Sequence, residues 1–204
     1  MGEFCERLRQ QVLLWLGDHV PRARIQHVLR VEQMAAELAR LHRLDPDKAA
    51  QAGLMHDLAK YFSPAVLLST ARSQGLPIDP VDQIHPHLLH ADVSAVVART
   101  EFGVDDPEVL TAIANHTLGN PRMDALSCVV FLADSLEPGR GDSPLLEKLR
   151  QASQQDLTEA VWLTCDYTIQ QLITTHRLVH PRAVATRNWF LQQSRTGAVP
   201  ARSG

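Results

Sequence analysis

The sequence predicts an all-α protein, a single compact bundle of about eight helices, and three observations carry that reading. Apolar residues recur with helical period through most of the chain. Asp or Ser stands before Pro at Asp45-Pro46, Ser63-Pro64 and Asp106-Pro107, joining a capping side chain to the residue whose fixed φ suits the first helical position. No segment sustains the apolar–polar alternation of a half-buried strand.

The elements follow in order. Phe4, Leu8, Val12, Trp15 and Leu16 stripe a first helix over 4–17. Val28, Val31, Ala35, Leu38 and Leu41 stripe a second, from Pro21 to about Arg43. Asp45-Pro46 starts a helix through Ala49, Ala52 and Leu54 to about Lys60, and Ser63-Pro64 starts another that Gly75 closes. Residues 76–88, with three prolines, read as a loop. Helices are expected over 89–101, from Asp105 or Asp106 to near Thr117, and over the apolar run 124–136, which Pro138 and Gly139 stop. Asp156 and Glu159 form a D-x-x-E signal opening a long helix to about His176. His180-Pro181 opens the last helix, to about Gln193. The expected organisation is an N-terminal helix in 1–20, one main domain over 21–193 and a flexible tail, 194–204. The apolar residues of 4–16 serve either the core or a homodimer face.

Composition bounds the function. The chain has 204 residues, 45% hydrophobic and 21% charged, the balance of one ordinary globular domain. A net charge of −3 supplies no basic field for nucleic acid. Cys5, Cys128 and Cys165 form no CxxC pair, so neither a disulfide framework nor a thiolate zinc site is expected, and buried thiols in a reducing compartment fit best. No apolar run approaches the ~18 residues that span a bilayer. Glu3 and Glu6 lie where a signal peptide would be apolar. The expectation is a cytoplasmic protein with neither a nucleic-acid nor a membrane partner.

The chemistry sits in the ten histidines. His56-Asp57 lies late in a helix, in AGLMHDLAK, where successive side chains diverge by about 100° and can reach one cleft. Imidazole and carboxylate together suit Fe, Mn, Zn or Ni. Lys60 shares their face, and a cation beside metal ligands suits an anionic substrate. His27 borders the apolar stripe of its helix. Asp134 falls near the end of an apolar helix, where a carboxylate is costly to bury unless it is paired or metal-bound; a salt bridge with Arg140 is the alternative. His90 opens a helix and His116 nearly ends one, as ligands or as capping residues. His19, His42, His85 and His176 read as surface or loop, with His87 and His180 left open.

The ordered set His27, His56-Asp57 and Asp134 resembles the H…HD…D signature of the HD-domain superfamily of metal-dependent phosphohydrolases. The additional His90 and His116 resemble its dinuclear branch. The strings LLHADVSA, AIANHTLGNPRM, FLADSLEPGRG and LVHPRAVATRNWF are similar to the YqeK family, symmetrical diadenosine tetraphosphate hydrolases of bacteria. This resemblance spans about residues 24–190 and implies an HD-domain helical bundle. It further implies cleavage of a dinucleoside tetraphosphate into two ADP by water activated between two divalent metal ions, iron first, with Mn, Ni, Co or Zn as alternatives. His27, His56, Asp57 and Asp134 would hold one ion; Asp57 would bridge to a second on His90 and His116. Asp57 and Lys60 would carry the chemistry, and Arg24, Lys60, His87, Thr117, Arg122 and Arg140 would contact substrate. The superfamily also leaves open a nucleotidase, a deoxynucleoside triphosphatase or a non-catalytic nucleotide or metal sensor. Asp92, where the family often has a small residue nearby, is expected to add negative charge near the nucleotide pocket.

Overall fold

The computed structural model describes residues 3–196. Among these residues the fold is all-α, with eleven α-helices and two short 3₁₀ turns. The helices are α1 (Glu3–His19), α2 (Arg22–Leu41), α3 (Pro46–Met55), α4 (Pro64–Ser73), α5 (Pro80–Ile84), α6 (His90–Phe102), α7 (Pro107–Asn115), α8 (Ala125–Leu136), α9 (Pro144–Gln155), α10 (Leu157–Thr174) and α11 (Pro181–Thr196). The side chains of Phe4 and Cys5, and residues 197–204 of the expected tail, lie outside the described residues.

The starts expected from sequence form as caps. Asp45 accepts from Asp47 N and Lys48 N, Ser63 from Val66 N, Asp106 from Glu108 N and Asp156 from Thr158 N and Glu159 N. Each relieves first-turn N–H groups that have no partner inside the helix.

α8 is the hub. Every residue from Leu126 to Ala133 is buried, as its apolar sequence requires, and it packs on α2, α3, α7, α9 and α10. The α2 and α3 axes approach closely because residue 53 is glycine. A Cβ there would lie 3.1 Å from Glu32 Cα and from the Val31 carbonyl oxygen. Leu8, Val12 and Leu16 of α1 are buried against the same chain, so that stripe is core.

Four expectations need correction. The loop of 76–88 contains α5, opened by a reciprocal Asp79–Asp82 capping box, and a 3₁₀ turn, Pro86–Leu89. α9 forms over a stretch without an expected element, although Ser143-Pro144 repeats the start signal of Ser63-Pro64; Ser143 caps it through Leu146 N, and Leu146, Leu149 and Ser153 are its buried residues. α11 continues to Thr196, past the expected end. α3 stops at Met55 instead of reaching Lys60. Beyond it Leu58 N bonds to Met55 O and Lys60 N to Asp57 O, a three-residue reach that winds the chain tighter than an α-helix. That winding places His56 and Asp57 in the centre of the bundle.

Candidate metal centre

His56 follows the end of α3, His116 follows the end of α7, and His90 follows the 3₁₀ turn. The last carbonyls of a helix are incompletely used by the helical ladder, and each of these histidines turns its ring back onto the carbonyl three residues earlier. Nδ1 of His56 donates to Gly53 O (2.7 Å), Nδ1 of His90 to His87 O (2.5 Å) and Nδ1 of His116 to Ile113 O (2.8 Å). A carbonyl only accepts, so each Nδ1 carries the proton and each Nε2 offers a lone pair to the interior. His27 stands in mid-helix, where the carbonyls are consumed by the helical ladder. Its Nδ1 instead meets Oε1 of Glu137 at 3.0 Å.

The four Nε2 atoms converge in two pairs. His27 and His56 face each other at 3.2 Å, with Asp134 Oδ1 3.0 Å from His27 and 3.7 Å from His56. His90 and His116 face each other at 3.1 Å. Asp57 lies between the pairs: Oδ2 is 3.4 Å from His56 Nε2, and Oδ1 is 3.2 Å from His90 Nε2 and 3.7 Å from His116 Nε2. Opposed lone pairs at such separations repel unless a cation lies among them. Asp57 Oδ1 is buried without a hydrogen-bond partner, at a depth where such groups are normally satisfied. The residues therefore fit divalent metal, and His27–His56–Asp134 and His56–Asp57–His116 each gather donor atoms within 4.8 Å.

The electrostatics agree. Burial opposes ionisation of Asp57, but His56, His116 and His90 hold it well below the usual carboxylate range. Asp134 is lowered likewise, against burial, by His27, His56, His116 and Arg140. Burial would depress His56, yet Asp57 and Asp134 raise it, so this half of the centre attracts a cation. Burial instead lowers His90 to about 4, with Lys60 and His116 adding to the effect, and burial lowers His116 too. Those imidazoles are kept neutral, the form that binds metal.

A cavity of about 620 Å³ opens on the centre, with Lys60, Thr117, Asp134 and Arg140 in its wall. Lys60 Nζ is 3.0 Å from His90 Nε2 and 3.8 Å from Asp57 Oδ1, and Thr117 Oγ1 is 3.2 Å from His90 Nε2. Arg140 makes the salt bridge that stood as the alternative for Asp134, 2.6 Å to its Oδ1, and faces the cavity as well. Arg24 contacts Asp57 Oδ2 at 2.9 Å and is absent from the cavity wall. Arg122 is not brought to the site: it is exposed in the α7–α8 turn with φ +64° and does not line the cavity. Asp92 pairs with Arg182 at 3.3 Å, which corrects the expectation of free negative charge near the pocket.

Sequence reasoning missed much of the rim. His85 and His176 line the cavity beside His87 and His180, and so do Arg177 and Tyr167. His87 is depressed chiefly by desolvation, with His85, Lys60 and Arg177 adding to the effect. Glu137 and its partner Arg30 were missed too; the EP dipeptide of the matching string was the available signal for Glu137.

A helical chain gathering four histidines and two aspartates in this order has the make-up of an HD-domain protein. The HD domain family model matches residues 24–139, and the chain belongs to that family. Within it, the symmetrical bis(5'-nucleosyl)-tetraphosphatase of Halalkalibacterium halodurans is 33% identical over 92% of this chain and 99% of its own length. The protein of the same name from Bacillus subtilis is 31% identical over 91% and 99%. The crystal structure of a predicted HD superfamily hydrolase involved in NAD metabolism, from Clostridium acetobutylicum, superposes with a TM-score of 0.86 at 30% identity, over 90% of this chain and 97% of that one.

Proposed function

We propose that this protein hydrolyses dinucleoside tetraphosphates symmetrically, diadenosine tetraphosphate to two ADP, at a centre of two divalent metal ions. His27, His56, Asp57 and Asp134 hold one ion; Asp57, His90 and His116 hold the other; iron is the expected metal. When bound, such a pair supplies a strongly nucleophilic water at neutral pH and neutralises phosphate charge.

The chain's own residues do the rest. Lys60 stands where the centre meets the cavity and binds non-bridging phosphate oxygens, whose charge shifts as the anhydride breaks. Arg140 offers a planar guanidinium to the phosphate chain, and Thr117 offers a hydroxyl. Arg177, also in the cavity wall, adds positive charge to hold the far phosphates, and His87 offers a hydrogen-bonding imidazole there. Phe131, Ile169 and Leu172 give the same cavity an apolar wall suited to a nucleobase. Arg24 orients Asp57 through Oδ2. The two arginines, Arg24 and Arg140, hold the two aspartates in place.

The observation that carries this reading is the cavity itself, whose wall holds Asp134 of the ligand set together with Lys60 and Thr117, which stand 3.0 and 3.2 Å from His90 Nε2. No helix among the described residues is long and apolar enough to cross a membrane, and we place the protein in the cytoplasm. The test is chromatography of products from diadenosine tetraphosphate, with the protein purified anaerobically and its metal content measured. ADP alone is the expected product. ATP with AMP would overturn symmetrical cleavage, and phosphate released from mononucleotides would reassign the protein to a nucleotidase.

A further inference from the structure

We propose that Glu137 is a positioning residue for the metal centre: acting through His27, it makes the ion held by His27, His56 and Asp134 the tighter bound of the two. The inference rests on the metal reading above and goes beyond it, because Glu137 touches neither ion position directly in that assignment.

The observation is an asymmetry in how the four imidazoles are oriented. His56, His90 and His116 each donate Nδ1–H to a main-chain carbonyl three residues earlier, a neutral acceptor that comes free with a helix end. His27, in the middle of α2, has no such carbonyl and receives a carboxylate. A carboxylate behind an imidazole fixes the tautomer, raises the basicity of the opposite nitrogen and strengthens the bond to metal.

The carboxylate is itself built in. Glu137 is only 1% exposed. Its Oε2 accepts from Arg30 Nε and, at 2.6 Å, from Gly139 N, so its remaining oxygen is aimed at His27. Arg30 crosses over Gly139 so closely that a Cβ at residue 139 would collide with the guanidinium. A side chain at 139 would push the Arg30 guanidinium out of this position. Among the described residues no carboxylate stands behind the imidazoles of the other ion position. There His90 Nε2 is instead approached by the cation of Lys60 at 3.0 Å, which works against a metal ion. That position also has one carboxylate, Asp57, where the first has Asp57 and Asp134.

Metal-free protein is titrated with Mn²⁺ alone by equilibrium dialysis and bound metal is counted by elemental analysis. Wild type is expected to bind two equivalents of unequal affinity, with His90→Ala removing only the weaker. Glu137→Gln keeps an acceptor for Nδ1–H but loses the charge; it is expected to weaken the tighter equivalent about 10–100-fold and leave the weaker within about two-fold. Arg30→Gln is expected to shift the same equivalent in the same direction by less, and decides the matter if circular dichroism shows Glu137→Gln unfolded. An unchanged tighter equivalent, or equal weakening of both, would overturn the role of Glu137. Failure of wild type to bind metal at all would overturn the metal reading beneath it, a distinct result.

Discussion

The buried ligand floor beneath the cavity and the rim of the cavity are built by opposite means. On the floor, His56, Asp57, His90 and His116 are at most 1% exposed, and the three imidazoles are locked by main-chain carbonyls at helix ends. On the rim, His87, His176 and Arg177 are exposed and belong to the 3₁₀ turn before α6 and the connection between α10 and α11. A locked group pays its ordering cost when the protein folds; an exposed one pays it when ligand binds. The floor is therefore suited to holding a fixed charge arrangement through the reaction, and the rim to closing on substrate.

Substitutions can break this division. The largest effect is expected from Asp57→Ala, which removes the one carboxylate both histidine pairs face. Metal content and turnover should vanish together, and normal turnover in a metal-poor variant would collapse the distinction. Lys60→Met sits at the seam: metal content should hold while kcat falls about 10²–10³-fold, the scale of losing one donor aimed at developing charge. On the rim, Arg177→Ala should raise KM about 10-fold, the loss of one charge-assisted contact, with kcat little changed. A matching fall in kcat would move Arg177 to the floor. Arg122→Ala, outside both regions, should change kcat/KM and thermal stability within error, as exposed substitutions commonly do.

The same contrast explains what could be read in the sequence. Four helix starts were visible because a cap such as Asp45, Ser63, Asp106 or Asp156 acts within three residues of itself. The six convergent histidines and aspartates were visible through a family pattern, whereas their convergence depends on α2, α3, α6, α7 and α8 packing together. His85, His176 and Arg177 gave no signal, since irregular segments have no period and an exposed side chain leaves no apolar mark. Glu137 was hidden for another reason: its partners His27 and Arg30 lie more than a hundred residues away. Asp92 was misjudged because Arg182, ninety residues on, neutralises it.

Asp57 presents one oxygen to each histidine pair, so neither half of the centre can be edited independently at that position. A single-ion version for spectroscopy or crystallography is reached by replacing His90 and His116, which leaves His27, His56, Asp57 and Asp134 as a complete donor set. Loss of His90 or His116 therefore spares the first ion, while loss of the shared aspartate costs both.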